Sequence, residues 1–466
     1  MELLIPLDSR SKKPLYEQIY SHICAEIRSG ALKAGDRLPS TRVLAEHLKV
    51  SRSTTQMAYD QLLAEGYMES RPCRGYFVSH LDELVETGPS GAEEMETTAE
   101  PDAGWRVDFS PRGIDLDSFP YHVWRKLSRN TLVDDNKEMF HSGNHQGEPG
   151  LREAIRSYLH SARGVNCSPE QIIVGAGSEY LLMLLSQILE GKHVIAMENP
   201  TYKQAYRVFR SLDYEVCPVE MDANGMEPEL LTRSGANVAY VMPSHQFPTG
   251  VVMPVGRRQE LLKWAVEAPD RYIIEDDYDS EFRYRGKPIP ALQGMDRSGR
   301  VIYLGTFSKC IAPAIRVSYL VLPTHLLLRY RSQTSFYAST VSRIDQNILY
   351  QFLAGGYFER HLNRMRAVYK TKHDLLLEQI ESLRERFEIR GEHAGIHILL
   401  TSRQGESEEQ LIQKAEEAGV KVYGLSSYFI HPQHNHRPAT VVLGYASLSE
   451  EQIVEGIRLL MECWGA

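Results

Sequence analysis

The sequence predicts a multidomain protein of two unlike parts: a small helix-turn-helix unit closed by a β-hairpin, then a large α/β domain ending in a small α+β subdomain. Three observations carry this. The 466 residues exceed what one core ordinarily supports. The net charge of −9 is unevenly spread: residues 1–79 hold 11 Lys and Arg against 9 Asp and Glu, a net of +2, which leaves −11 for the rest. In the long C-terminal part, short apolar runs ending in polar or charged residues are followed by helical stretches, as in a sheet of buried parallel strands.

Composition narrows the class further. Hydrophobic residues at 42% and charged ones at 24% are ordinary for a soluble chain. The most apolar stretch, Tyr180 to Leu189, is about half a membrane span, and no apolar leader follows the first residues. Six scattered cysteines with no C-x-x-C fit a reducing cytoplasm. A membrane partner is not expected.

In the N-terminal unit, PLYEQIYSHICAEIRSG sets Leu15, Ile19, Ile23 and Ile27 four apart, on one face of a helix stopping near Gly30. Ser40 caps a short helix carrying Val43, Leu44 and Leu48, and Ser51 caps another through Ala58, Leu62 and Leu63 to Gly66. Only Lys49 and Val50 separate these two, a helix-turn-helix spacing. GYMESRPCRGYFVS then alternates as a hairpin with a basic tip. A recognition helix needs short polar and basic side chains at its amino end, where it enters the major groove. Arg52, Ser53, Thr54, Thr55 and Gln56 supply them. Arg42, Arg71 and Arg74 are candidates for backbone phosphate or the minor groove. The expected partner is double-stranded operator DNA. This domain spans 1–79. His80 to Trp105, with eight acids and no Lys or Arg, reads as an acidic flexible linker over 80–105. The large domain is 106–466, its small subdomain beginning about 387.

The chemistry concentrates between Arg271 and Leu320. RYIIEDDYDSEF and VIYLGTFSKCIAPAIRVSYL read as two buried parallel strands that deliver Asp276, Tyr278, Thr306, Ser308 and Lys309 at their carboxyl ends. A lysine amine forms an imine with an aldehyde, a carboxylate keeps a pyridine nitrogen protonated, and an arginine, here Arg316, pairs with a phosphate. Those are the demands of pyridoxal 5'-phosphate. Upstream, IIVGAGSEYLLMLLSQIL gives a strand, a glycine turn and a helix, whose first amides near Gly177, Ser178 and Glu179 suit an anion. The histidines His431, His434 and His436 in HPQHNH have no metal-site spacing, so no metal is expected.

These motifs resemble known families. P-L-Y-x-Q-I, G-x-L-x-x-G-x-x-L-P-S-x-R-x-L-A and V-S-R-x-T resemble the GntR-type winged-helix family, many members of which carry Arg where Gln56 stands. The large domain resembles class I/II aminotransferases of the type-I pyridoxal phosphate fold. That resemblance implies that Lys309 is the Schiff-base lysine, Asp276 meets the pyridine nitrogen, Tyr278 the ring hydroxyl, Tyr202 stacks on the ring, and Thr306, Ser308 and Arg316 hold the phosphate. In NHQGEPGLREAIRSYL, Asn144-His145 replaces the family's Asp-Pro. In PSHQFPTG, Phe247 replaces the Asn of N-P-T-G, with His245 and Gln246 as the neighbours able to take over its contact. The two halves together resemble the MocR/GabR family of transcription regulators, which implies a head-to-tail homodimer and a small amino-compound effector that displaces Lys309. Gln204 and Ser427 stand where GABA-responsive members have carboxylate-binding arginines, so GABA is not the expected effector. Arg207 and Arg437 are candidate substitutes, and pyridoxal phosphate itself stays open as the ligand. The alternative is a working aminotransferase with an appended DNA-binding domain. The missing arginines and Phe247 disfavour turnover, and a slow half-reaction stays open.

Overall fold

The computed structural model describes residues 3, 5–8, 11, 13–80, 104–132, 137–284, 286, 288–392, 394–431 and 438–465. The chain divides into two compact units, Met1–Glu100 and Pro101–Ala466. The linker read over 80–105 lies almost wholly outside the described residues, as do His434, His436 and Arg437.

The first unit is a winged helix-turn-helix. Helix Leu15–Arg28 buries Ile19, Ile23 and Ile27, as the four-residue spacing demands. Helices Thr41–Leu48 and Arg52–Ala64 are each capped by the expected serine, the Ser40 and Ser51 hydroxyls accepting from the amides of Val43 and Thr54. Between them Lys49 takes a left-handed φ of 53°, and its amide bonds to the carbonyls of Ala45 and Glu46. That left-handed residue turns the chain within two positions. Strands Met68–Arg71 and Gly75–Val78 form the hairpin, and a two-residue strand, Arg37–Leu38, joins its far edge in the order first, third, second. On helix Thr41–Leu48, Leu44 is buried whereas Val43 is 55% exposed.

The second unit is built on an eight-stranded sheet. Its central strands Val194–Asn199, Val238–Val241, Tyr272–Asp277 and Val301–Thr306 run parallel. Both faces are covered, so these strands are buried and apolar up to their carboxyl ends, where polar and acidic residues such as Asp276 and Asp277 stand. Tyr272, Ile274, Ile302 and Leu304 enter one core, whereas Ile273 and Tyr303 face the layers behind. Strand Ser318–Val321 is antiparallel to Val301–Thr306, and Ile172–Gly175 is antiparallel to it in turn. Reversing twice brings Thr306, the start of Ser318–Val321 and the end of Ile172–Gly175 to one sheet edge, with Ser318 opposite both Thr306 and Gly175.

Helix Tyr357–Gln379 leads to a four-stranded antiparallel sheet and the closing helix Glu450–Trp464. The small subdomain takes more chain than its C-terminal segment. Strand Val107–Asp108 pairs in parallel with Val420–Lys421, and Val107 and Phe109 pack with Leu376, Ile398 and Trp464. The start of the second unit is therefore anchored in the core of its end.

Asp276 and Asp277 alternate across the strand. Asp277 accepts from Arg163 Nε at 2.8 Å and from the Tyr303 hydroxyl at 2.5 Å, and Arg163 also donates to the Ser244 hydroxyl at 2.6 Å. Both charged side chains are buried. Removing one partner of such a pair strands the other, which costs about 3–5 kcal/mol. Arg163→Met should therefore lower the urea midpoint of the large unit substantially. An unchanged midpoint would show that the pair does not hold the sheet.

Candidate functional site

A cavity of about 340 Å³ opens at the carboxyl ends of the parallel strands. Its lining includes Gly177, Ser178, Glu179, Tyr202, Gln204, Asp276, Tyr278, Thr306, Ser308, Lys309 and Arg316, so the structure brings together every cofactor residue expected from the sequence. The sheet explains why. Asp276 ends one strand, Thr306 to Lys309 follow its parallel neighbour, and the two antiparallel strands bring Arg316 and Gly177 to the same edge.

The Lys309 amine donates to the carbonyl oxygen of Arg112 at 2.8 Å. Burial pulls its pKa down to about 8, with Asp279 opposing and Arg112 reinforcing the shift. Asp276 is buried, and burial pushes its carboxyl up to about 7 although the Tyr240 hydroxyl donates to it. A carboxyl so placed ionises readily only beside a cation. A protonated ring nitrogen is such a cation.

At the far edge, Gly177 has a φ of 95° and caps helix Ser178–Ile188. A Cβ there would stand 2.5 Å from Arg316 Nη2, so only glycine keeps this cradle open. One detail of the sequence reading changes. The Gly177 amide bonds to the Gly175 carbonyl at 2.9 Å, because the turn closes on itself, which leaves the Ser178 and Glu179 amides as the helix-end donors. Arg316 donates to Glu179 Oε2 at 3.0 Å. The Thr306 hydroxyl accepts from the Ser308 amide at 3.1 Å and the Ser318 hydroxyl at 2.9 Å.

Tyr202 lines the cavity edge-on to Phe247, its hydroxyl pushed up to about 12 by burial. The Tyr278 hydroxyl lies 3.0 Å from His245 Nδ1, which also contacts Asp279 at 2.9 Å. Of the two neighbours considered for the missing Asn contact, Gln246 is consumed between its own loop and the loop at Pro200. Its amide donates to the Pro200 carbonyl, and its oxygen accepts from Thr249. His245 instead backs Tyr278.

The effector candidates separate. Gln204 lines the cavity. Ser427 does not, and its hydroxyl donates to the Gly424 carbonyl at 2.8 Å, a bond within its own short helical turn. Arg207 is exposed and also outside the lining, because it lies on the solvent side of helix Lys203–Ser211. Arg437 lies outside the described residues. Sequence reasoning missed Arg112, Tyr240 and Ser318. Ser318 was discoverable as the start of a strand after the phosphate arginine, but the other two carried no local signal.

In the winged-helix unit, Arg52 and Ser53 are exposed at the amino end of helix Arg52–Ala64, and Thr54 is partly exposed. Ser53 and Thr54 hydroxyls share hydrogen bonds with Ser51. Gln56 donates to Asp60 at 2.8 Å. Thr55 is a correction: it is buried, and its hydroxyl donates to the Thr41 carbonyl at 2.9 Å, joining the two helices rather than facing outward. Its spacing to Ala58, Tyr59 and Leu62, all buried, was the available signal. Arg42, Arg71 and Arg74 are all exposed, and Arg71 is in addition paired with Glu69 and lies 4.6 Å over the Phe77 ring.

Among the described residues, no group of three or more His, Cys, Asp or Glu could hold a metal ion, and no helix is long and apolar enough to cross a membrane.

Comparisons with known proteins agree with the fold of each unit. Residues 115–459 match the family aminotransferase class I and II, and residues 15–78 match bacterial regulatory proteins, gntR family. The uncharacterized HTH-type transcriptional regulator YdeL of Bacillus subtilis is 41% identical over 97% of this chain and 97% of its own. The probable rhizopine catabolism regulatory protein MocR of Rhizobium meliloti is 35% identical over 98% and 95%. Among solved structures, the multiple substrate aminotransferase from Thermococcus profundus superposes with a TM-score of 0.68 at 28% identity, over 77% of this chain and 90% of that one.

The neutral amine is the form that attacks an aldehyde, and Lys309 is neutral above about 8. Condensation of pyridoxal phosphate with the cofactor-free protein should accelerate as pH rises through that value and then level off. Stopped-flow absorbance measures it. A rate independent of pH between about 7 and 9, or a visible band surviving in Lys309→Ala, would contradict the assignment.

Proposed function

The chain belongs to the aminotransferase class I and II family and carries a gntR-family regulatory domain at its amino end, and from that premise we propose that it is a transcriptional regulator whose operator affinity depends on what occupies the Lys309 pocket. The observation carrying this is a single chain that combines a capped recognition helix exposing Arg52 with a cavity holding a lysine amine kept at about 8 by burial. Relatives spanning both halves are named as transcriptional regulators.

Pyridoxal 5'-phosphate is the cofactor of this fold, and when bound it supplies an aldehyde carbon that passes between amines. The residues present fit it. Lys309 would provide the amine, Asp276 would balance a protonated ring nitrogen, and Tyr278, backed by His245, would meet the ring oxygen. Tyr202 would stack on the ring. Thr306, Ser308, Arg316 and the amides of Ser178 and Glu179 would hold the phosphate, which would compete with Glu179 for Arg316.

The effector is a small primary amine that takes the place of the Lys309 amine. It shifts operator binding only through different affinities for the two states of the protein. GABA is disfavoured, because Gln204 is uncharged and Ser427 is turned to Gly424. With Phe247 at the tip of the P-T-G loop and no arginine at either of those positions, regulation is favoured over turnover. We place the protein in the cytoplasm, where its six free cysteines stay reduced, and expect it to act as a head-to-tail homodimer.

On the DNA side, Arg52, Ser53, Thr54 and Gln56 read the major groove, while Arg42 and Arg74 meet phosphate or the minor groove. Losing a base-contacting arginine costs about 1–3 kcal/mol. Arg52→Ala should therefore weaken operator binding by roughly 5- to 100-fold in a gel-shift titration, with the visible cofactor band intact. Unchanged binding would remove Arg52 from the interface.

A further inference from the structure

We infer that Arg112 is the anion clamp of this pocket, which makes the effector a primary amine bearing a carboxylate; the inference rests on Lys309 carrying the cofactor. Three cationic side chains line the cavity, Lys309, Arg316 and Arg112. Lys309 provides the amine, and Arg316 is at the glycine cradle with Glu179. Of the two acids in the lining, Glu179 is taken by Arg316 and Asp276 accepts from Tyr240. Arg112 makes no ion pair among the described residues and stands exposed to the cavity mouth.

Its position is tied to the reacting nitrogen. The Arg112 carbonyl accepts from the Lys309 amine at 2.8 Å, so the residue that carries the guanidinium touches the nitrogen an incoming amine must replace. Its charge also bears on Tyr202 and Tyr428, and Tyr428 packs edge-on to Phe247 at 5.2 Å.

The backbone beneath Arg112 is firmly seated. A Cβ on Gly113 would stand 2.2 Å from the Ser447 hydroxyl, and one on Gly444 would stand 2.2 Å from the Ser110 carbonyl. Asp115, three residues on, is bonded to Lys372 at 2.8 Å with both side chains largely buried. A free guanidinium on a fixed loop is well organised to bind a carboxylate in bidentate fashion.

The test uses the full-length, cofactor-loaded protein and two matched pairs of probes: L-alanine with L-alaninamide, and β-alanine with β-alaninamide. Half-saturation is read from the visible absorption change. In at least one pair the unmutated protein should prefer the acid by about tenfold or more, as a charged hydrogen bond implies. Arg112→Gln should abolish that preference without weakening the amide or the cofactor, and Arg112→Lys should restore part of it. No preference in the unmutated protein, or a preference that survives Arg112→Gln, overturns the inference. So does a loss of cofactor affinity in Arg112→Gln, which would assign the guanidinium to the phosphate. Absence of any visible band in the unmutated protein overturns the Lys309 reading and this inference with it, whereas an intact band whose amine response ignores Arg112 overturns this inference alone.

Discussion

The Asp277 carboxylate joins the two strands on which the site depends. It sits on Tyr272–Asp277, accepts from Tyr303 of the neighbouring strand Val301–Thr306, and receives Arg163 from the end of a helix behind the sheet. The first strand carries Asp276 and the second leads into Lys309. A cross-strand hydrogen bond and a buried ion pair on one face therefore fix the spacing of two reactive groups on the other. Side-chain alternation turns two adjacent acids into a structural anchor and a cavity group. Their environments differ accordingly, since Asp277 has a guanidinium and Asp276 has only a neutral phenol.

The same economy runs through the cavity. Burial moves Lys309 and Asp276 toward each other in pKa, to about 8 and about 7. Each group is thus poised to change charge when a partner arrives. The amine is ready to attack, and the carboxyl is ready to ionise against a ring cation. Behind Tyr278, a chain of His245 and Asp279 is closed off by His397, which burial and the nearby His245 hold down at about 3 and therefore neutral. The floor of the pocket is fixed, and the charges that respond lie at its surface.

Much of this was legible in the sequence where one local pattern carried it. Strands buried on both faces read as unbroken apolar runs, and the residues following them were the cavity residues. The serine caps and the two-residue turn gave the helix-turn-helix. What stayed hidden depends on partners far along the chain. Arg163 lies 114 residues from Asp277, and Asp108 lies 315 from Tyr423, so no window along the chain joins them. Arg112 was invisible for the same reason, because only the folded small subdomain brings residues 107–113 beside Lys309. Thr55 is a different failure. Its helical spacing to Ala58, Tyr59 and Leu62 marked it as core, but its polar type suggested a reader of bases.

Coupling between pocket and operator is the central claim, and it is reciprocal by thermodynamic necessity. The most direct measurement is fluorescence anisotropy with labelled operator DNA, comparing cofactor-free and cofactor-loaded full-length protein, with Lys309→Ala treated identically. The account predicts that loading changes operator affinity by about fivefold or more in the unmutated protein and leaves Lys309→Ala unmoved. Equal affinities for the loaded and cofactor-free forms, or a full response in Lys309→Ala, would contradict it.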